Sequence, residues 1–119
     1  RRYKRMSERG DRVKAEYYRA AAQHEAALVR FHAATRHLRP TPDFTEEESI
    51  ALAAEIERVG IATGHDRAYR ELQAAEETLL SWGAEQMRAM AGVDGGSLEA
   101  RHNPAIRRKL IAYILTIRG

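Results

Sequence analysis

The chain contains no cysteine among its 119 residues. That absence excludes a disulfide scaffold, a thiolate zinc site, an iron–sulfur cluster and a cysteine nucleophile. Proline, with three residues, and glycine, with eight, are too few for a collagen-like or linker-like chain, and the hydrophobic fraction of 44% is ordinary for a globular protein. A chain of this length supports one modest hydrophobic core, so we expect a single domain over residues 1–119.

Long apolar segments are also absent. The most apolar stretch, residues 110–117, is far shorter than the roughly 20 residues of a transmembrane helix. The amino end is rich in arginine, but no apolar segment follows it, and a secretory signal is therefore not recognisable. We expect a cytoplasmic protein with no membrane partner. Because the first residue is Arg1 and not methionine, we also expect this chain to be part of a longer product.

The spacing of apolar and small residues predicts an all-α fold, a small bundle of four main helices. In residues 11–38 these positions recur alternately every four and three residues, which indicates one long helix with a single buried seam. The seam is assigned to Val13, Tyr17, Ala21, His24, Leu28, Phe31, Thr35 and Leu38. Residues 1–10 are expected to form a flexible basic arm before this helix.

Two central helices form an acidic hairpin in this interpretation. Thr45 and Glu48 have the spacing of a capping box and predict the start of the second helix. A break at residues 60–64 separates it from a third helix, which Asp66 would cap and which runs to about residue 91. The inner face of the third helix is predicted to comprise Tyr69, Leu72, Ala75, Leu79, Trp82, Met87 and Met90.

The last helix is predicted to begin at Asn103 and Pro104, since asparagine caps well and proline suits the first helical position. Ile111 and Leu115 widen its apolar face, so we expect burial over most of its circumference. The members of the main apolar face are Ile106, Leu110, Tyr113, Ile114 and Ile117.

The net charge of +3 conceals two basic ends around an acidic middle. Residues 1–42 carry eleven Lys or Arg against four Asp or Glu, a net charge of +7. Residues 43–94 carry four against twelve, which gives −8, and residues 95–119 carry five against one, which gives +4. Of the 20 cations, 17 are arginine, the side chain that best binds phosphate in bidentate fashion.

Four cations of the first helix form a stripe that we call the arginine stripe. They fall within about 20° of one another and about 140° from the apolar seam, on the exposed side. A line of cations at repeated spacing suits a phosphate backbone, although a solvated helix face of ordinary composition is the alternative. The stripe comprises Arg12, Arg19, Arg30 and His37, and the arm extends it with Arg1, Arg2, Lys4, Arg5 and Arg9.

A second basic cluster lies at the start of the last helix, at Arg107, Arg108 and Lys109. Cations at this end oppose the helix dipole. Two explanations stay open. An anion bound at the free N–H groups would reverse the penalty, or the cations pair with the acidic residues Glu46, Glu47, Glu48 or Glu57.

The residues give little indication of catalysis. The five histidines show no metal-ligand spacing, so we expect no metal, no cofactor and no enzymatic activity. The chain is similar in one respect to small helical ribonucleases of the HEPN type, which use an Arg, four to six residues, and a His. Three pairs fit where chance predicts about two, so this remains the weakest alternative. The pairs are Arg19 and His24, Arg30 and His37, and Arg58 and His65.

In size, helicity and charge the chain is similar to the small helical subunits of CRISPR ribonucleoprotein complexes and to phage and plasmid DNA-handling accessory proteins. The resemblance implies a non-catalytic subunit of a multi-subunit assembly that contacts a DNA or RNA backbone without sequence specificity. Its partners would be nucleic acid, other protein subunits and copies of itself. The alternative is a protein–protein module that self-associates through acidic and basic faces. The predicted nucleic-acid contacts are Arg5, Arg9, Arg12, Arg19, Arg30, His37, Arg107, Arg108 and Lys109.

Overall fold

A computed structural model describes residues 2–91 and 102–118 of the chain. These residues form four helices and no strand, so the predicted all-α fold is confirmed. No helix in this part of the chain is long and apolar enough to cross a membrane. The helices are α1 (Arg2–Thr35), α2 (Glu46–Ala62), α3 (His65–Ala91) and α4 (Pro104–Ile114).

Helix α1 begins earlier than the sequence predicted, at Arg2 instead of residue 11. The residues before Gly10 are mostly good helix formers, and the buried Gly10 does not interrupt the helix. The segment predicted to be an arm is therefore helical from Arg2 onward, and its flexibility stays a prediction. The helix ends at Thr35, whose hydroxyl donates to the carbonyl of Phe31 at 2.8 Å.

The buried seam of α1 contains smaller residues than predicted. Val13, Ala20 and Ala27 are buried, whereas the predicted positions Ala21 and Leu28 are only half-buried. The four-and-three spacing is right, but the seam lies one residue earlier in two of its turns. Alanine at the buried positions 20 and 27 allows a neighbouring helix to approach the α1 backbone closely.

Contacts divide the chain into two compact units, and α1 and α3 contribute to both. Unit 1 comprises Arg1–Arg19 and Gln73–Gly119, and unit 2 comprises Ala20–Leu72. The single domain over residues 1–119 stays a prediction.

Unit 1 is built around the only tryptophan, Trp82, which is fully buried. Gly83 next to it leaves the space that the Ile114 side chain of α4 occupies, since a Cβ on Gly83 would lie closer than 3.0 Å to three Ile114 atoms. Helix α4 therefore packs directly on the α3 backbone. The core cluster comprises Val13, Leu79, Leu80, Trp82, Ile111, Ile114 and Ile117.

Helix α4 is buried on one side only, so the expected burial over most of its circumference is wrong. Ile111 and Ile114 are buried, but Ile106 is 46% and Tyr113 is 51% exposed. The Asn103 cap is confirmed, because its side chain accepts hydrogen bonds from two backbone N–H groups of the first turn.

Unit 2 contains the connection between α2 and α3. Thr45 caps α2 as predicted and accepts a hydrogen bond from the Glu48 backbone N–H at 3.2 Å. Gly64 has a φ of +78°, a left-handed conformation that suits glycine, and it reverses the chain direction into α3. Because α3 begins at His65, Asp66 lies in its first turn and does not cap it.

Candidate nucleic-acid interface

Positive charge is concentrated in unit 1. Over the whole sequence, unit 1 has fourteen Lys or Arg against eight Asp or Glu, a net charge of +6. Unit 2 has six against nine, a net charge of −3. The fold places the two basic ends of the chain in one compact unit, which the sequence alone did not predict.

Two members of the arginine stripe, Arg12 and Arg19, lie in unit 1 on the part of α1 that is fully described. Both are exposed. Among the described residues neither side chain forms an ion pair or a hydrogen bond. Their seven-residue separation places them on the same side of the helix, two turns apart. These two guanidinium groups are free to bind an anion.

Arg9 has an internal partner. Its guanidinium donates to Glu85 of α3, with an Nη1–Oε2 distance of 2.8 Å, and both side chains are about half exposed. This pairing neutralises much of its charge, so Arg9 is a weaker candidate contact than its neighbours on α1. Arg5 lies on α1 among residues whose side chains are outside the described part of the structure.

Arg30 and His37 lie in unit 2. The Nε and Nη2 atoms of Arg30 donate to the backbone carbonyl of Thr63 at 3.3 and 3.1 Å, which satisfies the carboxyl end of α2. His37 is exposed. The hydrogen bond from Arg58 and, to a smaller degree, the charges of Arg58 and His37 hold the pKa of Glu55 below its ordinary value. Arg30 is thus occupied by a carbonyl group of its own unit, whereas the His37 side chain is exposed.

Arg107 forms ion pairs with two glutamates of α3. Its Nη1 donates to Glu77 at 2.8 Å and its Nη2 to Glu76 at 3.2 Å. Partial burial opposes the charged form of Arg107, but the hydrogen bonds with the two carboxylates outweigh it and raise the pKa of Arg107. Internal pairing was one of the two predicted explanations, although these partners lie on α3 and are not the glutamates that the sequence suggested.

We expect Arg107→Ala to lower the free energy of unfolding by about 1–2 kcal/mol, because it leaves Glu76 partly buried without its charged partner. Arg108→Ala removes an exposed cation from the next position and should change stability by less than about 0.5 kcal/mol. Urea unfolding followed by the fluorescence of Trp82, the only tryptophan, measures both. Equal stability of the two variants would contradict the assignment of Arg107 to a structural role.

The start of α4 offers no free backbone donors for an anion. The Asn103 side chain accepts from the N–H groups of Ala105 and Ile106, and the Asn103 carbonyl accepts from that of Arg107. Pro104 has no N–H. The predicted anion site at these backbone groups is therefore wrong.

The side chains of Arg108 and Lys109 remain available at the same end of α4. Both are exposed, and neither forms an ion pair within the described residues. Together with the two free arginines of α1 they make up the set that we call the unit 1 cations. The unit 1 cations are Arg12, Arg19, Arg108 and Lys109.

Tyr18 adds an exposed aromatic ring next to Arg19. Its side chain is 56% exposed and makes an edge-to-face contact with Tyr17, with ring centroids 5.6 Å apart. Burial, with smaller contributions from Glu76 and Tyr18, raises the pKa of Tyr17, in keeping with a packing role. Tyr18 is thus the ring of this pair that can stack on a nucleic-acid base.

Lys14 is a cation of α1 whose role the charge pattern did not reveal. Its amino group lies over the Trp82 ring, 5.3 Å from the centroid, and donates to the backbone carbonyl of Ile117. It therefore holds the segment that follows α4 against the unit 1 core. Only the fold identifies this role, since these residues are far apart in sequence.

His24 and His65 are arranged as packing residues. The His65 ring stacks on Phe31 at 4.6 Å and lies 5.4 Å from the His24 ring. Arg58, which the HEPN-type spacing pairs with His65, donates instead to Glu55 at 2.9 Å. No group of three metal-ligating side chains comes together among the residues that the structure describes.

Comparisons with protein-family models, with curated proteins and with solved structures find no match for this chain. The functional argument therefore depends on the exposure, pairing and charge of its own residues.

Proposed function

We propose that this chain is a non-catalytic helical subunit that binds a nucleic-acid backbone through unit 1, without reading its sequence, within a larger nucleoprotein assembly. The observation that carries the proposal is that Arg12 and Arg19 are exposed and pair with no other described residue, in a unit of net charge +6. Guanidinium groups match phosphate geometry in bidentate fashion. Two of them, two turns apart on one helix, suit the repeated charges of a polyanion.

Binding through phosphate is insensitive to base identity. The cations identified above are exposed side chains on helices, which suits contacts to phosphate oxygens. The ring of Tyr18 beside Arg19 adds a stacking surface that every base can use, and it favours a single strand over a duplex. Both DNA and RNA provide these groups.

Unit 2 has the opposite charge and is expected to take no part in this binding. Its net charge of −3 repels phosphate. Its exposed glutamates at the start of α2, Glu46, Glu47 and Glu48, instead suit basic surfaces of protein partners.

The salt dependence of binding tests the proposal. Four phosphate contacts, one for each of the unit 1 cations, predict that affinity for a mixed-sequence single strand falls about 50-fold between 50 and 200 mM salt, and for a duplex about 150-fold. Fluorescence anisotropy with a labelled oligonucleotide measures the affinity, and a second oligonucleotide of scrambled sequence is the control and should bind equally. An affinity that does not change with salt, or that differs strongly between the two sequences, would contradict backbone binding.

A further inference from the structure

Helix α2 presents an exposed face that is apolar along its length and acidic at its middle. Only Val59 and Gly60 of this helix are buried, whereas Ile50 is 64% and Ile61 is 67% exposed. Large aliphatic residues exposed to this degree, and aligned, mark interaction surfaces more often than isolated ones do. The α2 face comprises Ile50, Ala53, Ala54, Glu57 and Ile61, all exposed and within about 100° around the helix.

Helix α4 presents a face of the same design with the opposite charge. Ile106 and Tyr113 are about half exposed, and the exposed Lys109 lies between them, so the three occupy the i, i+3 and i+7 positions of one side. The core residues Ile111 and Ile114 lie on the other side of this helix. We call Ile106, Lys109 and Tyr113 the α4 face.

We propose that the α2 face of one copy binds the α4 face of a second copy. On each face a charge has apolar residues about one turn away on both sides, and the two charges, Glu57 and Lys109, are opposite. The apolar residues are Ala53, Ala54 and Ile61 around Glu57, and Ile106 and Tyr113 around Lys109. Pairing the faces with the Glu57 carboxylate opposite the Lys109 ammonium group places Ile61 against one apolar residue of the α4 face and Ala53 or Ala54 against the other.

A second copy of this chain is favoured as the partner of the α2 face, because the complementary α4 face is present in the same chain. The units that carry the two faces have net charges of −3 and +6, so unlike faces of two copies attract. Two α2 faces, or two α4 faces, would bring like charges together. The association is therefore of unlike faces, and each complex keeps one free face of each kind.

An association of unlike faces propagates into an open array or closes into a ring. Each face spans only two or three helical turns, so the contact is small and the association weak and transient. The inference does not depend on nucleic-acid binding, although an array would place successive copies at repeated positions along a strand.

Sedimentation velocity without nucleic acid tests the inference. The wild-type chain is expected to show concentration-dependent association at 50 mM salt that weakens at 500 mM. Glu57→Lys and Lys109→Glu should each weaken association at least about tenfold. Mixing these two variants should restore association, because the α4 face of the first and the α2 face of the second are both intact.

Two control variants make the same changes in net charge at exposed positions outside both faces. These are Glu25→Lys on α1 and Arg88→Glu on α3, and each should associate as the wild type does. Circular dichroism checks that all four variants keep their helical content. A wild-type monomer at every concentration, a mixture that does not associate, or equal losses in the control variants would overturn the inference. All of these outcomes are measured without nucleic acid, and the proposed phosphate contacts Arg12, Arg19 and Arg108 lie outside both faces, so the two proposals fail separately.

Discussion

Ile114→Ala is expected to lower the free energy of unfolding by about 2–5 kcal/mol, whereas Tyr113→Ala should lower it by less than about 1 kcal/mol. Ile114 is fully buried in the unit 1 core, and Tyr113 is half exposed on the same helix. The loss at Ile114 is a large part of the stability of a chain of this size. Urea unfolding followed by Trp82 fluorescence compares the two variants. Similar losses at both positions would contradict the observed orientation of α4.

The contact between Gly83 and Ile114 predicts that the effect of Gly83→Ala on the free energy of unfolding depends on which residue occupies position 114. In the wild-type background, Gly83→Ala should cost about 1–2 kcal/mol, because a Cβ there overlaps Ile114 and this outweighs the gain of up to about 1 kcal/mol in helix propensity. In the Ile114→Ala background the overlap is gone, and Gly83→Ala should be neutral or stabilising. Additive effects of the two substitutions would contradict the close approach of α4 to α3.

Gly60→Ala is the control for this cycle. It adds the same Cβ to a helix, but the nearest atoms belong to the carboxylate of Asp66, whose side chain is 45% exposed and can move away. We expect a change of less than about 1 kcal/mol, since the gain in helix propensity offsets the displacement.

The helix boundaries that the sequence predicted well are those with local causes. Thr45 and Asn103 accept hydrogen bonds from backbone groups two or three residues away, so the cap and its partners are read from adjacent positions. The start of α1 was predicted less well. Residues 1–10 were predicted to form an arm, but the helix begins at Arg2 and continues through Gly10, which is buried.

The orientation of α4 was not predictable from the sequence because apolar residues lie all around it. Periodicity cannot decide whether Ile106 or Ile111 faces the core when both are isoleucine on a short helix. The space next to Gly83, on a helix distant in the sequence, fixes that choice, since Ile114 fits there.

For the candidate nucleic-acid contacts, the sequence predicted exposure but not pairing. Helical spacing placed Arg12 and Arg19 correctly on an exposed side of α1. The spacing could not show that Arg9 pairs with Glu85, 76 residues away, or that Arg107 pairs with residues of α3. Exposure of a cation follows from local periodicity, whereas its pairing depends on tertiary contacts.

Reversing two charges of unit 1 is expected to abolish most of the binding to nucleic acid. Arg12→Glu with Arg19→Glu removes two phosphate contacts and places two repulsive charges at their positions. Affinity at 50 mM salt should fall at least about thirtyfold, and for a single strand the slope of log affinity against log salt should become less steep by about 1.4. Arg36→Glu with Arg70→Glu changes the net charge equally, at exposed positions of unit 2, and should reduce affinity only a few-fold.

Anisotropy titrations of these two double variants against one labelled single strand, at several salt concentrations, test the central claim most directly. A large loss of affinity and a less steep salt dependence, confined to the unit 1 variant, is the predicted result. Equal losses in both variants would show that binding follows net charge alone. An unchanged affinity in the unit 1 variant would contradict the claim that Arg12 and Arg19 bind a polyanion backbone.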